Sequence, residues 1–72
     1  MFSKELFGQR LKETRQKNGE RQYKLAEFLG LSKSRISEME KGIVGTTMER
    51  LAMICEHYQV SADYLLGLKD EP

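Results

Sequence analysis

Apolar residues recur at spacings of three and four along this chain, and glycines separate the stretches in which they do so. Gly19, Gly30, Gly42 and Gly45 leave segments of helical length, and none of these segments alternates as a strand would. The only proline is the final residue, so no earlier position forbids a helix. The pattern predicts an all-α fold, a compact bundle of five helices.

The ends of the predicted helices follow from capping residues and glycines. A serine able to accept a hydrogen bond from the first turn precedes the first, third and fifth helices (Ser3, Ser32 and Ser61). Thr46, followed three residues later by Glu49, matches a capping box for the fourth helix. The predicted helices span 3–17, 22–29, 33–41, 47–58 and 62–66.

The last part of the chain is predicted to close the domain. Residues 1–68 are expected to form one domain, and 69–72 a short frayed tail. The spacing of three and four in the fourth helix predicts an apolar face made of Met48, Leu51, Ala52, Cys55 and Tyr58.

Length and composition restrict the class of protein. A chain of 72 residues and 8.4 kDa has room for one small domain. Its hydrophobic content of 39% and its charged content of 32% are typical of a folded domain rather than a disordered one. The single cysteine cannot form an internal disulfide, and no apolar run approaches the roughly 18 residues of a membrane span. With no signal-peptide core in the first residues, the chain is expected to be cytoplasmic, with no membrane association.

The charges are distributed unevenly. A formal net charge of +1 argues at first against a nucleic-acid partner. Residues 1–41, however, carry ten Lys and Arg against six Glu, a balance of +4, whereas residues 42–72 carry two against five Asp and Glu, a balance of −3. This asymmetry fits a face for a polyanion, and it also fits an ordinary solvated helix surface.

Residues 22–41 have what a helix-turn-helix unit requires. Ala26 is small at the point where two helix axes would come close, and Gly30 can take the left-handed conformation of the turn. The third helix begins at the cap Ser32, and its outward positions carry no large apolar side chain. Such a face suits entry into the major groove of DNA. The outward residues are Lys33, Ser34, Arg35, Ser37 and Glu38.

Residues 7–68 resemble the Cro/phage-repressor-type helix-turn-helix domains of the Xre family of bacterial and phage regulators. Many residues at fixed spacing carry the resemblance: Phe7-Gly8-Gln9-Arg10-Leu11 and Arg15, then Gln22, Leu25-Ala26, Leu29-Gly30, Ser32, Ile36-Ser37 and Glu40-Lys41-Gly42, and finally Val60 to Gly67. The resemblance implies a lambda-repressor-like fold with a recognition helix at about 33–41. It also implies a bacterial or phage-encoded protein that is nucleoid-associated when it is bound to DNA.

The resemblance further implies roles for individual residues. Bases would be recognised by Lys33, Ser34, Arg35 and Glu38. DNA phosphates would be bound by Gln22, Arg21, Ser37, Lys41 and Thr46, and the loop 42–47 would contribute backbone amides. An internal ion pair would join Arg15 to Glu40.

Three features depart from the family pattern, and one of them is Thr14, at a position where Leu is common. Glu20 and Arg21 stand where the family usually has an apolar residue followed by Ser or Thr, which predicts a weak cap for the second helix and one lost core contact. Arg21 is itself a candidate phosphate ligand that would offset the poor cap. The loop 43–46 lacks the basic residues that some relatives place there for phosphate.

Apolar residues near the C-terminus predict a homodimer. They exceed what a short final helix needs, although coverage of the core is the alternative explanation. A two-fold dimer would bind inverted half-sites about one helical turn apart, ~34 Å. The candidate interface residues are Tyr58, Tyr64, Leu66 and Leu68.

The predicted function is a sequence-specific, double-stranded-DNA-binding transcriptional regulator. Repression by occupancy of an operator is favoured over activation. The alternative is a helix-turn-helix antitoxin or interaction module whose main partner is another protein. An enzyme is a distant third, because no convergent acid, base and nucleophile set exists. Cys55 and His57, two residues apart on a helix, point to different faces, and no other Cys or His is present to complete a metal site. No cofactor and no small-molecule ligand is predicted.

Overall fold

The computed structural model describes residues 1–72, and it is all-helical. The helices are α1 (Lys4–Lys17), α2 (Gln22–Leu29), α3 (Lys33–Glu40), α4 (Met48–Tyr58) and α5 (Ala62–Leu65). The predicted fold class is therefore confirmed, with every helix end within one residue of its predicted position. None of the five helices has both the length and the apolar character that crossing a bilayer requires.

Serine caps begin three of the helices as predicted. The hydroxyls of Ser3, Ser32 and Ser61 each accept a hydrogen bond of 3.1 Å from a backbone amide three residues later. Because the first-turn amides of a helix have no intrahelical partner, each cap satisfies one of them. These three contacts fix where α1, α3 and α5 begin.

The capping box predicted for α4 is wrong by one residue. Thr47, with extended backbone angles, is the actual cap, and its hydroxyl accepts a bond of 3.1 Å from the Arg50 amide. The Thr46 hydroxyl is buried and has no hydrogen-bond partner. Only Thr46 matches the capping-box pattern, because the residue three positions after Thr47 is Arg50, but the backbone conformation of the loop places Thr47 at the cap.

Ten buried apolar side chains form one core, with all five helices contributing. Helix α3 packs against both α1 and α2, while α5 packs against α1 and α4. At the α1–α3 crossing, Gly8 lies so close to α3 that a Cβ placed on it would be 2.3 Å from the carbonyl oxygen of Met39. The core residues are Phe7, Leu11, Leu25, Ala26, Leu29, Ile36, Met39, Ile54, Tyr58 and Leu65.

The predicted apolar face of α4 is partly wrong. Ile54 is fully buried in the core, whereas Met48 is 87% exposed and Ala52 is exposed. The buried face runs through Leu51, Ile54 and Tyr58, at spacings of three and four. Apolar residues are so frequent in this helix that more than one helical phase fits them, and packing against the other helices selects one phase.

Residues 69–72 are docked rather than frayed. The Arg10 guanidinium donates to the Lys69 carbonyl at 2.7 Å and to the Asp70 carboxylate at 3.1 Å. It also bonds the Tyr64 carbonyl and lies 4.4 Å from the centre of the Tyr64 ring. The Ser61 amide in turn donates to the Pro72 carbonyl at 2.9 Å. One arginine of α1 thus anchors the C-terminal residues.

Candidate nucleic-acid interface

The α2–α3 unit has the tight turn expected of a helix-turn-helix. Gly30 ends α2 with φ = 70°, a left-handed conformation that favours glycine. The next amide, that of Leu31, donates to the Ala26 carbonyl at 2.9 Å and closes the turn. Ala26 is buried where the chain turns, and Ile36 anchors the inner side of α3. The turn therefore fixes the direction in which α3 leaves α2.

The outer face of α3 presents the predicted base-recognising residues together. Ile36 and Met39 are buried, so the opposite side of this short helix faces solvent. Ser37 is half-buried at the edge of that side. The exposed residues on it are Lys33, Ser34, Arg35 and Glu38.

A buried ion pair fixes α3 to α1. Arg15 Nε lies 2.6 Å from Glu40 Oε2, and Arg15 Nη2 lies 3.0 Å from Glu40 Oε1. This bidentate geometry is the strongest that a guanidinium and a carboxylate adopt. The hydrogen bond with Glu40 raises the pKa of Arg15, so the guanidinium stays charged. Arg15 also donates to the Glu20 carbonyl at 2.7 Å, which joins the α1–α2 loop to the same network.

Glu40 also orients the predicted phosphate-binding residue Gln22. The Gln22 side-chain amide donates to Glu40 Oε1 at 2.9 Å. A carboxamide nitrogen carries two hydrogens, so one is left for an acceptor outside the protein. The first residue of α2 is therefore held in place by the carboxylate that ends α3.

The start of α2 opens onto a recess of about 450 Å³ with a cationic lining. Arg21 is the cap residue, and its side chain forms no capping hydrogen bond, in line with the weak cap predicted. The lining brings the predicted residues Arg21 and Gln22 next to Lys33 of α3. Tyr23, which no sequence pattern indicated, is 53% exposed and completes the wall together with the buried Arg15.

Lys41 and Thr46, two further predicted phosphate ligands, lie in different surroundings. Lys41 is exposed directly after α3, where Gly42 turns the chain with φ = 77°. The hydroxyl of Thr46 is buried and has no hydrogen-bond partner, so its side chain is not presented to solvent. Phosphate binding at Thr46 through the backbone amides of the loop stays a prediction.

A second recess lies beside α3, and its composition was not foreseen. It has a volume of about 440 Å³ and is lined by Arg35 of α3 and Arg50 of α4, with Leu31, Met39, Gly45, Thr46 and Thr47. Arg50 Nε donates to the Leu29 carbonyl at 3.2 Å. In the sequence, Arg50 is a lone arginine in the first turn of α4, and no local pattern indicates that it packs beside α2 and α3.

Comparison with known proteins identifies the family. A helix-turn-helix family model matches residues 11–65. The chain belongs to the helix-turn-helix family. It is 42% identical over 64 residues to the HTH-type transcriptional regulator ImmR of Bacillus subtilis, covering 89% of this chain and 50% of ImmR. It is 33% identical to the uncharacterized HTH-type transcriptional regulator YobD of the same organism, covering 93% of this chain and 60% of YobD. The chain thus spans about half to three fifths of the relatives' length.

Solved structures of this family share the fold. The P22 c2 repressor in complex with synthetic operator 9T has a TM-score of 0.77 and 33% identity, covering 83% of this chain and 91% of that one. The clp gene regulator ClgR from Corynebacterium glutamicum has a TM-score of 0.79 and 30% identity, covering 88% of this chain and 67% of that one. The five helices are therefore arranged as in helix-turn-helix domains of repressors and regulators.

Glu20, the residue that departs from the family pattern, replaces an apolar contact with polar ones. Its carboxylate accepts a 2.7 Å hydrogen bond from the Tyr58 hydroxyl, and His57 Nε2 lies 3.0 Å from both of its oxygens. The His57 ring stacks on Phe28 with centroids 4.3 Å apart. Hydrogen bonds to α4 thus take the place of the core contact that an apolar residue would make here.

These contacts set the protonation of Glu20 and Tyr58. Burial raises the pKa of Glu20, but the hydrogen bonds from Tyr58 and His57 outweigh it and hold the pKa below its ordinary value. Burial, followed by the hydrogen bond to Glu20, raises the pKa of Tyr58. The cluster therefore holds a carboxylate and a neutral phenol.

The structure changes the set of candidate interface residues. Tyr58 is only 6% exposed and its hydroxyl is bonded to Glu20, so it cannot form a dimer surface. Tyr64 is half-buried beneath Arg10. Leu68 is 66% exposed, and Leu66 lines an apolar groove. That groove, of about 180 Å³, is bordered by Phe2, Phe7, Thr46, Thr47, Met48, Leu51 and Leu66.

Proposed function

We propose that the chain is a sequence-specific, double-stranded-DNA-binding transcriptional regulator that inserts α3 into the major groove. The observation that carries this proposal is the exposed polar face of α3, which lies between two recesses with cationic walls. Membership of the helix-turn-helix family supports it, as does the similarity to a repressor solved with an operator. The bacterial cytoplasm, where its DNA would lie, is the proposed location.

Phosphate contacts would set the register of the protein on the duplex. Gln22 has one amide hydrogen available beside the exposed Arg21, and Lys41 is exposed at the other end of α3. Ser37, at the edge of the outer face, offers a hydroxyl to a phosphate oxygen. Such contacts orient a protein without selecting sequence.

Base recognition would fall to the outer residues of α3. Lys33 and Arg35 are suited to the O6 and N7 acceptors of guanine, and Glu38 is suited to the amino group of cytosine. Ser34 can donate to or accept from either type of base edge. Bound protein would exclude polymerase from an overlapping promoter, so repression by operator occupancy is the simplest mechanism.

A homodimer is the form we propose on DNA. Leu66, Leu68 and the exposed Met48 are the apolar residues available for contact with a second copy. A two-fold dimer would recognise inverted half-sites about 34 Å apart. Leu66→Ser should lower the dimer fraction on a 30-base-pair duplex in sedimentation velocity, whereas Tyr58→Phe should leave that fraction unchanged. A protein that binds as a monomer would contradict this part of the proposal.

The apolar groove also supports a second candidate function, an antitoxin or interaction module whose partner is another protein. Phe2 and Met48 are exposed at its rim, as a protein partner would require. Phosphate contacts distinguish the two functions, because a protein-only partner does not require them.

A salt series on duplex DNA tests the proposed function. The logarithm of the binding constant should fall linearly with the logarithm of salt concentration, with a slope of about −0.9 for each phosphate neutralised. Gln22→Ala should weaken binding to all duplexes to a similar extent. No measurable affinity for any duplex at low salt would refute DNA binding and favour the protein partner.

A further inference from the structure

Resting on the proposed function, we propose that Arg50 binds a DNA phosphate and that it supplies the cation missing from the loop between α3 and α4. Residues 43–46 contain no Lys or Arg. The recess beside that loop is nevertheless lined by two arginines, Arg35 and Arg50. Arg50 reaches the recess from the first turn of α4.

The positions of the two recesses fit the two strands that border a major groove. Lys33 lines the recess at the start of α2, and Arg35 lines the recess that contains Arg50. Two residues apart on a helix of 3.6 residues per turn, these side chains leave α3 about 200° apart. The recesses therefore flank α3 on opposite sides. A helix lying in a groove about 12 Å wide has a phosphate backbone on each side.

The guanidinium of Arg50 is oriented but not neutralised. Its Nε donates to the Leu29 carbonyl at 3.2 Å, which holds the group at the C-terminal end of α2. The ion pairs of the chain do not include it. Both terminal nitrogens thus have hydrogens available, and a planar fork of this kind matches a phosphate. Since the side chain is half-buried, little conformational freedom is left for DNA binding to remove.

The alternative role for Arg50 is purely structural, because the bond to Leu29 also caps α2. The two roles predict different salt dependence. A phosphate ligand contributes to counterion release, whereas a cap contributes only to stability. Arg50 and Lys69 are the only Lys or Arg residues in 42–72, so Lys69→Gln is a control that removes the same charge from the same half of the chain.

The experiment measures the affinity of the full chain for a labelled mixed-sequence duplex of 25 base pairs over a salt series, below the melting temperature of every variant. For Arg50→Gln we expect the salt slope to become shallower by about 0.9 per protomer and the low-salt affinity to fall on the order of tenfold. Arg50→Lys should keep the slope because it keeps the charge, even if it melts earlier. Lys69→Gln should keep both slope and affinity.

The outcomes separate this assignment from the proposed function. If the unaltered chain binds the duplex and Arg50→Gln retains its full salt slope, Arg50 is not a phosphate ligand and the assignment is overturned. An equal loss in Lys69→Gln would also overturn it, because the effect would then reflect overall charge. If the unaltered chain binds no duplex, the proposed function fails first, and this assignment fails with it.

Discussion

Arg15 and Glu40 form a bidentate ion pair, 2.6 Å between Nε and Oε2, which joins the middle of α1 to the last residue of α3. Both side chains are almost completely enclosed. Glu40 also accepts from Gln22, so one carboxylate contacts residues of two other helices. The orientation of α3, and with it the candidate DNA-binding face, depends on this pair.

Removing one charge of this pair should be much worse than replacing both. Glu40→Gln leaves the buried Arg15 cation without its counter-charge, which we expect to cost about 3–5 kcal/mol of unfolding free energy. The double variant Arg15→Met with Glu40→Leu leaves no isolated charge and should lose less. Urea denaturation followed by circular dichroism measures both values. A loss below about 1 kcal/mol in Glu40→Gln would show that the pair is not needed to hold α3.

Gly8 should be intolerant of any side chain. Alanine there would place its Cβ 2.3 Å from the Met39 carbonyl oxygen and 2.7 Å from that of Glu40, and backbone atoms cannot move aside as a flexible side chain can. We expect Gly8→Ala to cost about 3 kcal/mol or more. Gly45→Ala is the matched control, since its Cβ would meet no atom within 4 Å. Thermal unfolding should separate the two, and similar melting temperatures would contradict the close α1–α3 approach.

The two threonines before α4 should respond in opposite directions. Thr47→Ala removes the cap of α4 and should cost about 1 kcal/mol. Thr46→Val removes a buried hydroxyl that has no partner, so stability should stay the same or rise by up to about 1 kcal/mol. Chemical denaturation of both variants tests this assignment. A loss confined to Thr46→Val would restore the capping box that the structure replaces.

Stability should fall in acid because of Glu20. Its folded pKa lies below the ordinary value of 4.5, so the carboxylate stabilises the fold above that pH and the contribution is lost as the pH falls through the lowered pKa. Glu20→Gln should therefore flatten the fall in unfolding free energy as the pH is lowered through 4.5 and below. Glu56→Gln, at an exposed position of α4, serves as the control and should keep the fall. An unaltered acid profile in Glu20→Gln would show that its bonds to Tyr58 and His57 do not favour the charged form.

Local signals in the sequence were enough for the helices and for the turn. Ser32, Gly30 and Ala26 each act within a few residues, so their chemistry is visible in a single stretch of chain. The Arg15–Glu40 pair, 25 residues apart, could be predicted only through the family resemblance, and the structure places these two residues in contact.

Other long-range contacts gave no local signal. Arg10 reaches residues 59 and 60 positions away, and for that reason the tail was expected to fray. The Tyr58 hydroxyl donates to Glu20, which lies 38 positions earlier in the chain. Tyr58, predicted at a dimer interface, therefore lies in the core. Arg50 approaches Leu29 and Arg35 only after the bundle has formed. The capping-box pattern favours Thr46, and only the path of the loop places Thr47 at the cap instead.

The central claim is that α3 recognises DNA sequence, and selection from a random duplex pool tests it most directly. The unaltered chain should enrich one motif with inverted half-sites about one helical turn apart. Lys33→Ala should relax the preference at one position of each half-site, whereas Gln22→Ala should enrich the same motif with lower overall affinity. Two results would contradict recognition through this face of α3. The unaltered chain could enrich no motif, or the Lys33→Ala variant could enrich the same motif with the same preference at every position.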